Sequence, residues 1–100
     1  MNVNVSREGN QLIAVVQGEV DADNCESLGG QIEPALSDGI DTLVIDASGL
    51  TFIDSSGITE LLRMRDVMKE RSGTCRIQAP TEQVRRILEI TGLGDAFAVS

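Results

Sequence analysis

The chain has 100 residues, 41% of them apolar and 24% charged, the make-up of one globular domain over residues 1–100 rather than of a disordered or divided chain. Sixteen acidic residues against eight basic ones give a net charge of −8, which repels nucleic acid, and Phe52 and Phe97 are the only aromatics, too few for a stacking platform on single strands. Histidine is absent, which excludes Ser-His-Asp and Cys-His catalysis and removes the commonest metal ligand.

The longest apolar run, Leu12 to Val16, is far too short to cross a bilayer, and Asn2, Asn4 and Arg7 interrupt the N-terminus where a signal peptide would be apolar. A cytoplasmic protein without membrane insertion or direct nucleic-acid binding is expected, so any control of gene expression passes through another protein. Cys25 and Cys75 are fifty residues apart, match no metal spacing and fall at apolar positions, where free cysteine behaves as a small hydrophobe.

Val3 and Val5 alternate with polar residues and predict a first strand. Glu8-Gly9-Asn10 is turn chemistry and Leu12 to Gln17 a second strand, so the two form a hairpin. Gly18 to Asp23 is expected to be a connection, with Asp21, Asp23 or Asn24 able to cap a helix. On that helix Cys25, Leu28, Ile32, Ala35 and Leu36 share a face, yet Gly29-Gly30 weaken it and Pro34 predicts a kink or break. Thr42 to Asp46 is a third strand, and its unbroken Leu43-Val44-Ile45 predicts a central position covered on both faces.

Ala47 to Ile53 is expected to be a loop, followed by a helix from Ser55 to Glu70. Ile58, Leu61, Leu62 and Met68 stripe that helix, and Arg65 falls inside the stripe, where it must snorkel or pair. Ser72-Gly73 stops it, and Thr74 to Gln78 is a fourth strand with Cys75 and Ile77 on one face. After Pro80, Thr81 or Glu82 opens a third helix striped by Val84, Ile87, Leu88 and Thr91 and ended by Gly92. Ala96 to Val99 offers a final edge strand. The order ββαβαβα, with an optional last β, predicts an α/β domain in which a mixed, mostly parallel sheet of four to five strands packs with three to four helices.

Asp54-Ser55-Ser56-Gly57 sits between the third strand and the second helix, at the carboxyl edge where α/β sheets place function. At a helix start Ser55 lies beside orphan N–H groups and the positive end of the dipole, which accommodate a phosphate. Ser and Asp here also serve simply as helix caps, and Gly57 as a packing requirement.

The element order, Gly18-Glu19-Val20-Asp21 after the second strand and Leu50-Thr51-Phe52-Ile53-Asp54-Ser55-Ser56-Gly57-Ile58 after the third resemble the STAS domain. Within that family the resemblance is to bacterial anti-sigma factor antagonists, and it runs from about Val3 to Val99, through Gly73 to Ile77 and the last helix from Val84 to Leu93. The resemblance implies partner switching: the unphosphorylated protein binds an anti-sigma factor that is also a serine kinase and frees the sigma factor. Phosphorylation of the first serine after the aspartate, Ser55, then ends binding, and a PP2C-type phosphatase reverses it. It implies a partner-binding surface of Asp21, Asp54, Ser55, Ser56, Gly57 and Ile58, with Asp21 close to the phosphorylation loop; a cap or solvated loop residue is the other account of Asp21. Gly29-Gly30, Pro34 and Arg65 depart from the common pattern.

A STAS regulatory subunit of a lipid or anion transporter is the alternative, against which an intact Asp54-Ser55-Ser56-Gly57 argues. The resemblance also raises nucleotide binding. Here, however, no Walker-type glycine-lysine run exists and Lys69 is the only lysine, so neither catalysis, a metal nor a cofactor is expected.

Overall fold

A computed structural model of the chain describes residues 1–92 and 97–99; Leu93 and Ala96, expected in the last helix stop and the final strand, lie outside the described residues. The first two strands, β1 (Asn2–Glu8) and β2 (Gln11–Val20), form the expected antiparallel hairpin, with Gly9 in the left-handed region at φ 61° to make the turn. After α1 (Cys25–Ile32) comes β3 (Thr42–Ile53), parallel to β2. Next are α2 (Ser55–Glu70), β4 (Thr74–Gln78), α3 (Glu82–Ile90) and β5 (Ala98–Val99), with β4 parallel to β3 and β5 parallel to β4.

In space the strands follow chain order, β1-β2-β3-β4-β5. Right-handed crossovers that always step in one direction lay every helix on the same face. The core agrees: Leu28 and Ile32 of α1, Leu61, Met64 and Met68 of α2, and Val84 and Leu88 of α3 join one buried cluster with Leu12, Ala14, Val16, Leu43, Ile45 and Ile77. Leu43, Val44 and Ile45 are all buried, as a central strand requires, but the helices cover only the side of Leu43 and Ile45. Val44 is 1% exposed on the reverse face, flanked in the ladder by Ile13 and by Arg76, whose Nε is itself buried there.

Two expectations change. Ala47 to Ile53 is not a loop but the second half of a twelve-residue β3, and β2 continues through Gly18, Glu19 and Val20 to pair with it. Asp46 and Ser48-Gly49 look like breakers locally, and the Ser48 N–H does donate to Asp46 Oδ1 at 3.0 Å. The ladder survives because register shifts after Val15 and Gly18, with Gly18 at φ 96°, absorb the mismatch as bulges. Gly29, which weakens α1 in isolation, is buried against α2: a Cβ there would overlap the Glu60 carboxylate and the Arg63 guanidinium.

Those groups form a bridge. Arg63 Nε donates to Glu60 Oε1 at 2.9 Å, and Arg63 Nη1 lies 2.5 Å from Glu33 Oε1 in the 3-10 turn Glu33–Ala35 that Pro34 initiates. The hydrogen bond that Arg63 donates to Glu60, then that to Glu33, holds its guanidinium above the usual range. Arg65 pairs with Asp66 at 3.3 Å. Among the described residues no helix is long and apolar enough to cross a membrane.

The end of α2 is a Schellman motif: Gly73 N–H donates to Met68 O at 2.7 Å and Ser72 N–H to Lys69 O at 3.0 Å. Ser72 holds the left-handed position at φ 60°, which suits glycine better. Ser72→Gly is expected to raise stability by about 0.5–1 kcal/mol in urea unfolding, because the relief of strain outweighs the added freedom of the unfolded chain. Cys75 is buried and its thiol pushed up to about 12, chiefly by desolvation, whereas Cys25 is half-buried. At pH 8 a thiol reagent should therefore modify Cys25 in the native protein and Cys75 only after denaturant is added.

Candidate functional site

The carboxyl ends of β2 and β3 lie side by side, since Val20 pairs with Ile53 and the Asp54 N–H donates to Val20 O at 3.2 Å. Asp21 and Asp54, thirty-three positions apart in the sequence, thus follow paired residues on neighbouring strands. Both carboxylates are committed to backbone. Asp21 Oδ1 accepts from the N–H groups of Asp23 at 3.0 Å and Asn24 at 3.3 Å, while its own N–H donates to Asn24 Oδ1 at 2.9 Å. Asn24 Nδ2 closes the turn on Glu19 O at 2.9 Å. Asn24 occupies the N-cap position of α1 without a side-chain cap bond, so it is this Asp21-centred turn that shapes the entry to the helix.

Asp54 is the cap of α2. Its Oδ1 accepts from the Gly57 N–H at 3.0 Å and its carbonyl from the Ile58 N–H at 3.0 Å. Gly57 lets this turn sit close to the sheet: a Cβ there would stand 2.5 Å from Ile53 Cγ1 and 2.9 Å from Val20 Cγ1. The first turn of the helix is therefore wedged against the two strand ends by a missing side chain. Gly57 and Ile58 are buried by the same packing, with Ile58 7% exposed.

Ser55 follows the cap and is exposed, and among the described residues its hydroxyl takes part in no hydrogen bond; Ser56 is half-buried. Because Asp54 satisfies the Gly57 N–H, the Ser55 hydroxyl is left out of capping. The amides of Ser55 and Ser56 belong to the unpaired donors at a helix start. The structure thus gathers Asp21, Asp54, Ser55 and Ser56 at one edge and supports them from below with Gly57 and Ile58.

Two neighbours, Thr59 and Phe52, escaped the sequence reading, and a third, Thr81, was read only as the start of the last helix. Thr59 is exposed one turn beyond Ser55, with Oγ1 donating to Ser55 O at 2.9 Å; the i,i+4 spacing was the available signal. Phe52, 38% exposed, stands beside the loop, visible as a surface residue only once 47–53 is known to be a strand. Thr81 caps α3 by accepting from the Val84 N–H and also donates from Oγ1 to Leu50 O at 3.1 Å, which fastens that helix to the same stretch of β3. Among the described residues no group of three or more His, Cys, Asp or Glu is placed to hold a metal ion.

Residues 3–99 match the family model described as Mlab, STAS domain. The chain belongs to the STAS domain family. It is 26% identical over 100 residues to the anti-sigma-B factor antagonist of Bacillus subtilis, covering all of this chain and 91% of that protein. It is 32% identical over 79 residues to the anti-sigma F factor antagonist of Lysinibacillus sphaericus, covering 77% of this chain and 67% of that one. The same fold recurs in the unphosphorylated anti-sigma factor antagonist SpoIIAA, at TM-score 0.82 and 21% identity, covering 99% of this chain and 88% of that one. The STAS architecture inferred from the sequence is therefore the architecture present.

The division of labour at α2 has a measurable consequence. Asp54→Ala removes the cap and is expected to cost about 0.5–2 kcal/mol of stability. Ser55→Ala should stay within about 0.5 kcal/mol of wild type, as for an exposed residue outside any cap. Gly57→Ala should cost about 1–3 kcal/mol by overpacking. Chemical denaturation of the three variants checks this order, and a Ser55→Ala loss equal to that of Asp54→Ala would make Ser55 a structural cap.

Proposed function

We propose that this STAS domain is a cytoplasmic anti-sigma factor antagonist. In this reading the unphosphorylated protein binds an anti-sigma factor with serine kinase activity, the sigma factor is released, and phosphorylation of Ser55 ends the interaction. The observation that carries the reading is the separation of tasks at the start of α2, where Asp54 caps the helix and the exposed Ser55 hydroxyl is left to chemistry. The similarity to proteins named anti-sigma factor antagonists over most of their length supports it.

The kinase supplies the catalytic groups and the nucleotide. Ser55 Oγ attacks the γ-phosphorus of ATP, its proton passes to a base of the kinase, and ADP leaves. The phosphoserine carries about −1.5 to −2 charges at pH 7. The unpaired amides of the first helical turn and the dipole favour that charge, so the fold is kept. The partner meets a different surface: the new charge stands beside Asp54 and Asp21 and repels any acidic or closely packed group set against Ser55. A PP2C-type phosphatase returns the serine by hydrolysis. Asp21, Asp54 and Ser56 contribute contact or orientation at the interface, and Gly57 and Ile58 hold the turn in place from beneath. Catalysis by this chain forms no part of the reading, since it has no histidine and its one lysine, Lys69, lies in the last turn of α2.

The test is a pull-down from host lysate with wild type, Ser55→Ala and Ser55→Asp, partners being identified by mass spectrometry. A small kinase-like protein should be retained by wild type and Ser55→Ala and lost with Ser55→Asp by at least about tenfold, as expected when a charge is introduced into a close interface. In vitro, that kinase should label wild type and not Ser55→Ala. Retention of transporter subunits by all three proteins would instead make the domain a constitutive subunit of a lipid or anion transporter.

A further inference from the structure

The sheet ends on one side in a strand whose outer edge is unpaired. β1 runs for seven residues in unbroken register with β2, from Asn2 opposite Gln17 to Glu8 opposite Gln11, and β2 is its only partner among the described residues. Exposed edges of this length are normally blunted by proline, lysine or a bulge, because their free N–H and C=O groups template pairing with another chain. β1 has no proline, lysine or bulge, and its two charged residues, Arg7 and Glu8, lie together at one end; among the described residues the strand at the opposite edge, β5, covers Ala98–Val99. At the middle of β1, Val5 is 40% exposed on the helix-bearing side, since it pairs with buried Ala14.

The flank beside that edge is poor in charge. Gly29 and Glu33 mark the side of α1 that meets α2, and at 100° per residue Ser27 and Gln31 fall on the other side, above β1. Both are exposed and joined by a hydrogen bond, Gln31 Nε2 to Ser27 Oγ at 3.0 Å. Asn2, Asn4, Val5, Ser6, Ser27 and Gln31 are all uncharged in a chain of net charge −8. Arg7, near the end of the strand, is drawn inward to Gly9 O, Ser37 Oγ and Asp38 O. A second copy of this chain therefore meets less self-repulsion here than its overall charge implies.

A strand paired antiparallel with its own copy obeys a two-fold axis, the commonest symmetry of small oligomers. Centred on Val5, the register opposes Val5 to Val5, Asn4 to Ser6, Val3 to Arg7 and Asn2 to Glu8, with no like charges facing each other. We infer that β1 is a self-association edge, through which two copies join their five-stranded sheets into one continuous sheet about a two-fold axis at Val5. The arrangement is independent of the proposed switch. It leaves both Ser55 sites open, at opposite ends of the joined sheet, because the β1 strands run antiparallel.

Sedimentation equilibrium of the full chain from about 1 μM to about 1 mM, the range in which small interfaces associate, tests this. Wild type should pass from the 10.7 kDa protomer to twice that mass as concentration rises. Val5→Lys and Val5→Glu, each shown to be folded by circular dichroism, should raise the dissociation constant at least about tenfold, because like charges then oppose each other at the axis. An equimolar mixture of the two variants should recover the dimer. A wild-type protomer mass throughout, a Val5→Lys dimer as tight as wild type, or a mixture no more associated than either variant alone would each overturn the inference.

Discussion

The close approach of α2 to the ends of β2 and β3 is the contact on which the rest of the molecule turns, and Gly57 is what permits it. With a Cβ at this position, Ile53 and Val20 would both have to move, and they are 1% and 0% exposed in the centre of the core. Interiors packed to crystal-like density do not yield such room cheaply. From this one contact follow the placement of Asp54 at the cap, the outward direction of Ser55 and the burial of Ile58. The extension of β2 and β3 beyond their neighbours is part of the same construction. It carries Val20 and Ile53 out to where the helix begins, and Gly18 with its bulge allows the ladder to reach that far.

The other end of the layer is held differently, by charge rather than by contact of apolar groups. Arg63 joins Glu60 on its own helix to Glu33 after α1, in a notch that exists because residue 29 has no side chain. Arg71 donates to Leu36 O and Ser37 O, and Arg7 reaches the next residues from the hairpin. Three arginines thus fasten the segment between α1 and β3, which Pro34 and Gly39 leave with little helix propensity of its own. The Arg63 side chain is 46% exposed, so solvent weakens its pairs, while Glu60 at 9% would be costly without its partner. Such a bridge specifies how the helices meet more than it adds to stability.

What was legible in the sequence followed the range of the interaction responsible. Helices α2 and α3 could be placed closely because their signals are local: Asp54 and Thr81 as caps, Ser72-Gly73 and Gly92 as stops. The second half of β3 was not, because Asp46 and Ser48-Gly49 are breakers by local chemistry and only the distant β2 strand shows why they are tolerated. Gly29 looked like a weakness for the same reason, its justification lying some thirty residues away in Glu60 and Arg63. At the candidate site, the position of Ser55 at the start of α2 could be read from the compact motif around it. The nearness of Asp21 came from family resemblance alone, and the pairing of Val20 with Ile53 now supplies its physical basis.

The switch proposed at Ser55 would separate recognition from folding. A phosphate on Ser55 gains from the helix dipole and the orphan amides, and loses to the carboxylates of Asp54 and Asp21 nearby; in the isolated domain these contributions oppose each other. An interface has no such balance, because any group packed against Ser55 must accommodate both the added volume and nearly two charges after water has been excluded, where electrostatic terms are larger than in solution. Had Ser55 itself been the cap, its modification would also have broken a hydrogen bond of the helix, and stability would have been tied to signal. Giving the cap to Asp54 avoids that coupling. A modification costing the fold little can then change binding strongly, the requirement for a reversible regulator whose own stability margin is only several kcal/mol.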